Sequence, residues 1–364
     1  MDFTIIDRHG REWDAPDGKI NADILHNCGG SLKIAARIQI VDMTALWHPA
    51  LLTLPPVKLP EKAEFDCGKD AAFPMFIFMN QMSHVSWAIA LSDFCDPVHA
   101  AAQMIPQQGC YEVCFTIDVT PQSSPFEIFT DQSKCSLSEV LQRYRTLTMP
   151  VRPEYPECAW LSDSEHLSAA PGEKIRKFSL NALSGSALFQ AVDAPFDYIE
   201  NFSRLVQLRL LLGDNVPIYS APVQFNNSES VESVGRYMIA ALAGIPQVDI
   251  VREELTFEQQ KTVQNYLDFY CRYQQLFSRG SWFAEIRSGF TAWLKCSWQN
   301  QAVIIITDEA LLELALHDCP EHAVVLNLTP GRLIHCSGKA YDAQGLPCDN
   351  IAPVGGRLEI TSKK

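Results

Sequence analysis

The pattern of apolar and polar positions changes twice along the chain and so divides it into three segments. In the first segment, SLKIAARIQIV (residues 31–41) and YEVCFTIDV (residues 111–119) carry an apolar side chain at every second position. Strict alternation is typical of β-strands that bury one face, and several such strands between turns favour a sandwich. Residues 1–149 are therefore predicted to form an N-terminal β-sandwich domain with a linking helix.

The linking helix and a proline cluster mark the end of this segment. Ser136 and Glu139 have capping-box spacing ahead of LSEVLQRYRTL, which has helical periodicity. Pro150, Pro153 and Pro156 follow. Because proline does not continue a helix, these residues favour a domain boundary.

The second segment, residues 150–279, has the longer period of helices. Asp197 with Glu200 and Thr256 with Gln259 are further capping boxes, and ESVESVGRYMIAALAG between them is a third helix, with Asn227 or Ser228 as its cap. Short apolar runs such as KFSL and VPIY separate the helices. This alternation predicts an α/β segment.

The third segment, residues 280–364, returns to strand patterns. FTAWLKCSW, AVIIIT, AVVLNLT, RLIHCSG and RLEIT are strand-like runs, with turns at glycines between them. They predict an antiparallel C-terminal β-sandwich. The fold class expected for the whole chain is thus multidomain β and α/β.

The order of the segments, together with several phrases, resembles glycoside hydrolase family 36, the α-galactosidase or melibiase-like enzymes. The phrases are NFSRLVQLRLLLGDNVPIYSAPVQF, ESVESVGRYMIAALAGIPQVDI and LTFEQQKTVQNYLDFYCRYQQLF, followed by VVLNLTP and YDAQG. The resemblance implies a large N-terminal β-domain, a (β/α)8 or TIM barrel, a C-terminal β-domain, and hydrolysis of α-galactosides.

The sequence departs from that family in two ways. The stretch from Pro150 to Arg279 is shorter than the about 200 residues that a complete (β/α)8 barrel needs. Roughly half of the barrel is therefore expected to be missing, including the early part in which family members carry the nucleophilic aspartate. Family members also commonly have an aspartate after the serine of the strand that resembles IYSAPVQF, whereas here Ser220 is followed by Ala221. The resemblance thus implies a partial barrel-like domain and a pseudoenzyme.

Candidates for catalysis are few. Retaining glycosidases need two carboxyl groups about 5 to 5.5 Å apart. In the α/β segment, VDAPFDYIE offers Asp193 and Asp197, but each has a structural interpretation, Asp193 as a turn residue and Asp197 as a helix cap. The catalytic residues stay unassigned, and both aspartates remain weak candidates.

Candidates for sugar binding lie around the loop that follows VPIY. Sugar recognition needs aromatic platforms for the ring and amide or hydroxyl groups for its edges. The candidate residues are Trp160, Tyr219, Ser220, Gln224 and Asn226. Trp160 and Tyr219 also fit the alternative of ordinary core residues.

Composition excludes several classes of function. The net charge of −14 argues against nucleic acid and anionic membrane surfaces as partners. No run approaches the roughly 20 apolar residues of a membrane span, and the first residues lack the apolar core of a signal peptide. With twelve cysteines expected to be reduced thiols, this predicts a cytoplasmic protein. Phosphate-loop, dinucleotide and structural-zinc spacings are missing, so no cofactor or metal is expected.

Three functions remain open from the sequence. The first is a shortened α-galactosidase-like homologue that binds carbohydrate with little or no hydrolysis. The second is an active retaining α-glycosidase with a remodelled site, and the third is a non-catalytic structural or assembly subunit. Because half a barrel leaves an unpaired sheet edge, a homo-oligomer is expected, with a dimer favoured.

Overall fold

The computed structural model describes two compact units. The described residues are 3–49, 57–67, 73–82, 84–92, 97–121, 123–148, 159–160, 189–190, 197–215, 217–287, 290–335 and 338–361. Those up to residue 148 form the first unit and the others form the second. None of the helices in these ranges is long and apolar enough to cross a membrane.

The first unit consists of two six-stranded antiparallel sheets. In chain order, the strands of one sheet are β1 (Phe3–Asp7), β2 (Glu12–Trp13), β4 (Ser31–Gln39), β7 (Lys62–Cys67), β10 (Val98–Ile105) and β11 (Cys110–Asp118). Those of the other are β3 (Lys19–Ile20), β5 (Ala45–Trp47), β6 (Val57–Lys58), β8 (Met75–Met79), β9 (Val85–Leu91) and β12 (Phe126–Asp131). Across the sheets the orders are β2-β1-β4-β11-β10-β7 and β3-β12-β9-β8-β5-β6.

The core of this unit is formed by the alternating apolar positions. In β4, buried side chains alternate with exposed or half-buried ones, and β11 repeats the pattern after its first two residues. The ring of Phe76 in β8 lies 5.3 Å from that of Phe65 in β7 and 6.0 Å from that of Phe115 in β11. These contacts join the two sheets, so the half-buried strands predicted from alternation are confirmed.

Two helices, α1 (Ala22–Asn27) and α2 (Leu137–Thr148), accompany the sheets. The predicted capping box of α2 is present. The Glu139 carboxylate accepts a hydrogen bond from the Ser136 backbone N–H at 2.9 Å, and the Ser136 hydroxyl accepts one from the Glu139 N–H at 3.3 Å. The hydroxyl of Tyr144 donates to the carbonyl of Leu91 at 2.7 Å and so attaches the helix to β9.

The second unit begins with a ladder of four short parallel strands. They are β13 (Ala159–Trp160), β14 (Phe189–Gln190), β15 (Ile218–Tyr219) and β16 (Gln247–Val248). β14 pairs with β15, and β13 pairs with β16. Isolated parallel bridges, from Tyr219 of β15 to Ile245 and from Val223 to Val248 of β16, place these two pairs side by side. Across the ladder the order is therefore β14-β15-β16-β13.

Three helices, α3 (Tyr198–Leu212), α4 (Val231–Ala241) and α5 (Phe257–Arg279), belong to the same part of the chain. The reciprocal hydrogen bonds of Thr256 and Gln259 begin α5, which confirms that capping box. The cap predicted for α4 is wrong, because Ser230 rather than Asn227 or Ser228 begins the helix. Asn226 holds Ser228 in a turn ahead of it, through a 2.9 Å bond from the Ser228 N–H to the Asn226 side chain.

The rest of the second unit is a seven-stranded sheet. Its strands are β17 (Ser281–Arg287), β18 (Phe290–Trp298), β19 (Gln301–Ile306), β20 (His322–Asn327), β22 (Gly338–Tyr341), β23 (Pro347–Cys348) and β25 (Arg357–Thr361), in the order β17-β18-β19-β20-β25-β22-β23. β21 (Leu333–Ile334) and β24 (Ile351–Ala352) pair separately. The sheet differs from the predicted antiparallel one at a single pair. β19 and β20 are parallel and are connected through α6 (Leu312–Leu316).

Helices α4 and α5 pack closely against loops of this sheet. The hydroxyl of Tyr266 donates to the carbonyl of Gly355, and the side-chain amide of Asn265 donates to the carbonyl of Ala343 at 3.0 Å. At Gly235 in α4, a Cβ atom would lie 2.6 Å from the carbonyl oxygen of Gly355. The α/β part and the C-terminal sheet therefore share one packed unit. The division into domains at 1–149, 150–279 and 280–364 stays a prediction.

Candidate functional site

The candidate site lies at the carboxyl ends of the parallel strands β13, β15 and β16. In folds built from parallel strands and helices, ligands bind at this edge, because the loops that leave the strands converge there. The loop from Ser220 to Asn226 leaves β15, Asp249 directly follows β16, and Trp160 is the last residue of β13. Trp160 pairs in register with Val248.

Ser220 connects two of these strands. Its side chain is fully buried, and its hydroxyl accepts a hydrogen bond from the Gln247 backbone N–H at 3.1 Å. The Ser220 N–H in turn donates to the carbonyl of Ile245 at 2.9 Å. This candidate thus fixes the spacing of β15 and β16 and supports the loop from within.

Ala221 is the residue at which the resemblance of the sequence phrases implies the loss of an aspartate. It is fully buried, and its backbone N–H donates to the side-chain oxygen of Asn201 at 3.2 Å. Asn201 is itself buried, so this bond joins the start of the loop to helix α3. The position therefore contributes packing and a backbone contact but no carboxylate.

Gln224 is the one predicted loop residue whose side chain contacts an acid. Its amide nitrogen donates to Oδ2 of Asp249 at 2.9 Å. Asp249 is not among the candidates predicted from the sequence. Its position immediately after the apolar run of β16 could have identified it, because the loops at the carboxyl ends of such strands form the ligand-binding edge.

The side chains of Asn226 and Tyr219 both have roles within the fold. The Asn226 side chain accepts a hydrogen bond from the Ser228 N–H at 2.9 Å and so shapes the turn before α4. Tyr219 is buried, with 5% of its surface exposed, and burial raises the pKa of its phenol. Its hydroxyl therefore stays protonated at neutral pH, and its ring serves mainly the core.

The two catalytic candidates predicted from the sequence are Asp197 and Asp193. Asp197 begins α3, because its carboxylate accepts hydrogen bonds from the N–H groups of Ile199 at 2.9 Å and Glu200 at 3.0 Å. Glu200 does not complete the predicted capping box through its side chain, which pairs instead with Arg204 one turn later. Asp193 lies outside the described residues.

The chemistry available at this edge is that of hydrogen bonding. Asp249 and Gln224 offer a carboxylate and an amide, whereas Ser220 and Ala221 are occupied within the fold. Among the described residues, no group of three or more His, Cys, Asp or Glu side chains could hold a metal ion. The arrangement can bind hydroxyl groups, and the described part of it contains a single carboxylate where a retaining glycosidase needs two.

Comparisons by sequence alone find no relatives, since no protein-family model matches the chain and no curated protein does. Solved structures do match. A variant of the α-galactosidase AgaA of glycoside hydrolase family 36 from Geobacillus stearothermophilus, in complex with 1-deoxygalactonojirimycin, superposes with a TM-score of 0.50 at 10% identity and covers 92% of this chain and 77% of that chain.

The chain has a fold like that of a family 36 α-galactosidase. A second variant of AgaA, in complex with raffinose, gives a TM-score of 0.49 at 10% identity and covers 91% of this chain and 77% of that chain. The match at a TM-score of 0.50 confirms the family 36-like fold predicted from the sequence phrases, together with the predominance of β-sheet. At this identity the likeness concerns the fold and not the residues of the site.

Proposed function

We propose that this chain is a shortened family 36-like protein that binds a carbohydrate, with little or no hydrolytic activity. The observation that carries the proposal is the order of the parallel strands, β14-β15-β16-β13. β13, the first in the chain, lies beside β16, the last. A closed (β/α)8 barrel brings its first strand beside its last. The order therefore supports a barrel-like arrangement that keeps its point of closure.

The lack of hydrolysis follows from the residues at the remaining strand ends. Two carboxyl groups on either side of the glycosidic bond are required, one as nucleophile and one as acid and base. Ala221 offers none, and the carboxylate of Asp197 is engaged by two backbone N–H groups at the start of α3. We infer that binding was retained after the catalytic acids were lost, because the amide of Gln224 and the carboxylate of Asp249 remain along the same edge.

The ligand class we propose is a galactose-configured sugar. The family 36 enzyme with the similar fold was solved in complex with 1-deoxygalactonojirimycin. We extend that class to this chain because its remaining site lies at the carboxyl ends of β15 and β16, the edge at which folds of this kind bind their ligands.

The first test measures hydrolysis and binding on the full chain. With nitrophenyl α-galactoside, we expect no turnover above a no-enzyme blank. With galactose and raffinose followed by calorimetry, we expect binding that weakens about tenfold in Gln224→Ala, because a polar contact to a ligand is worth about 1 kcal/mol or more. Trp160→Ala is expected to weaken it similarly through loss of an aromatic platform.

Three outcomes oppose this proposal. Turnover that disappears in Asp193→Asn would support the active hydrolase with a remodelled site instead. The control variant is Gln301→Ala, at an exposed glutamine of β19. If Gln224→Ala and Trp160→Ala bind galactosides as well as this control does, the binding site does not lie at this edge. A chain that binds no sugar at all would favour the structural subunit.

We also propose that the chain forms a dimer through its α/β part. Within the described residues, β14 pairs only with β15, and a strand with an unpaired edge favours association unless it is covered. Ile199 on α3 is 60% exposed although it is a large apolar residue. Light scattering is expected to give twice the 40.7 kDa of one chain, and Ile199→Asp is expected to shift the mass towards one chain.

The matched control for this variant is Leu346→Asp. Leu346 is 46% exposed and follows β22 in the C-terminal sheet, so its substitution adds the same charge on another element than α3. Aspartate in the first turn of α3 is compatible with the helix, because negative charge is favourable there. A wild-type mass of one chain at micromolar concentration contradicts the dimer, as does an unchanged dimer mass in Ile199→Asp.

A further inference from the structure

Asp249 is fixed by the backbone at the centre of the candidate site. Its N–H donates to the carbonyl of Val223 at 3.1 Å, and the N–H of Val223 donates to the carbonyl of Gln247 at 2.8 Å. These bonds hold the end of β16 against the loop from β15. On the other side, Val248 pairs in register with Trp160 of β13. The position of Asp249 is thus set by strands on both sides.

The Asp249 carboxylate is oriented without being neutralised. Gln224 donates to Oδ2 at 2.9 Å, and Oδ1 has no hydrogen-bond partner within the ranges that the structure describes. Other carboxylates of the same unit are paired with arginine, as in Glu285 with Arg287. A neutral amide fixes the direction of the Asp249 carboxylate but leaves its negative charge available to a ligand.

Such a carboxylate suits hydroxyl groups better than a metal ion. Calcium takes six to eight oxygen ligands, whereas one carboxylate and one amide supply few, and no larger cluster exists among the described residues. A hydroxyl donating to an ionised carboxylate forms a short hydrogen bond that is roughly twice as strong as a neutral one. A side-chain amide beside it can accept from the neighbouring hydroxyl.

We propose that Asp249 is the sugar-recognising residue of this site, with Gln224 as its positioning partner. Oδ1 of Asp249 and the amide oxygen of Gln224 accept hydrogen bonds from two adjacent hydroxyl groups of a neutral hexose. The inference rests on the proposed carbohydrate binding and deepens it. It assigns recognition to a residue outside the Ser220–Asn226 loop and needs no covalent step.

The test compares galactose binding to the wild-type chain, to Asp249→Asn and to Glu253→Gln by calorimetry. Asp249→Asn keeps the size of the side chain but removes its charge, so we expect affinity to fall about tenfold or more. Glu253 is an exposed acid of the short helix that follows β16, and its substitution removes the same charge without touching the site. We expect Glu253→Gln to bind within about twofold of the wild type.

Deoxygenated galactose analogues provide the second readout. For the wild type, the analogue that lacks the hydroxyl bound by Asp249 is expected to bind about tenfold more weakly than galactose. For Asp249→Asn, the same analogue and galactose are expected to bind with nearly equal affinity. If the wild type binds galactose but Asp249→Asn binds it equally well, this inference is overturned while the proposed function stands. If the wild type binds no galactoside, both fall.

Discussion

Gly244→Ala is expected to lower the melting temperature of the second unit by about 2 to 12 °C and to abolish sugar binding. A Cβ atom at Gly244 would lie 2.6 Å from the carbonyl oxygen of Ile218 and 2.8 Å from a methyl carbon of Leu205. The first contact is with backbone, so β15 has to move away. Overpacking of this kind costs about 1 to 3 kcal/mol, and each kcal/mol lowers the melting temperature by about 2 to 4 °C in a unit of this size.

Binding is expected to suffer more than stability, because the displaced backbone belongs to the site. The Ile245 N–H, next to Gly244, donates to the carbonyl of Ile218 at 2.7 Å, and this bond sets the register in which Ser220 meets Gln247. A misplacement of about 1 Å in a binding constellation is enough to lose most of its function. Calorimetric melting and galactose titration on the same sample separate the two effects.

The matched control is Gly338→Ala at the start of β22. A Cβ atom there would make its nearest contact at 3.4 Å, with a methyl carbon of Leu358, which is ordinary van der Waals distance. We expect its melting temperature to lie within about 2 °C of the wild type and its sugar binding to be unchanged. A Gly244→Ala variant that melts and binds like Gly338→Ala would show that β15 and β16 do not meet as described.

The strands with strict alternation and the helices with a capping box could be predicted from sequence. β4 and β11 bury every second residue over long stretches, and α2 and α5 begin at a Ser or Thr with Glu or Gln three positions later. Both signals are local, because they depend on residues that are close together in the chain. The family phrases added what local signals lack, namely the order of the segments in a known fold.

The parallel ladder could not be predicted in the same way. Its strands β13 to β16 are two residues each, so they are too short to show a period. The same holds for the direction of β20. Its run Ala323 to Leu326 is buried on both faces, and a continuous apolar run carries no information about whether its neighbour is parallel or antiparallel.

Only part of the candidate site could therefore be predicted from the sequence. Gln224 was found because its amide lies in a polar loop after a strand-like run. Asp249 was missed because its importance depends on its side-chain hydrogen bond with Gln224, 25 positions earlier in the chain. Loop residues can be selected by type, but the partner that orients them is fixed only by tertiary structure.

Asn327→Ala is expected to cause the other large loss of stability, about 3 to 5 kcal/mol in the second unit. Asn327 is fully buried at the end of β20. Its amide nitrogen donates to the carbonyls of Gly331 at 3.0 Å and Pro353 at 2.9 Å, and its side-chain oxygen accepts from the N–H of Thr329 at 3.0 Å. Alanine removes these hydrogen bonds, each worth about 0.5 to 1.5 kcal/mol, and leaves the buried N–H of Thr329 without its acceptor, which costs about 1 to 3 kcal/mol more.

The effect matters for the site because the same loop packs against α4. The Asn327 side chain holds the segment before Gly355 through its hydrogen bond to Pro353. The Gly355 N–H also donates to the carbonyl of Asn327 at 3.1 Å. Chemical unfolding followed by tryptophan fluorescence measures the loss. Asn350→Ala, at an exposed asparagine of the same unit, is the control and is expected to change the unfolding free energy by less than about 0.5 kcal/mol. Equal unfolding midpoints for the two variants would mean that the hydrogen bonds of Asn327 do not hold this loop, and that the packing of Gly355 on α4 has another cause.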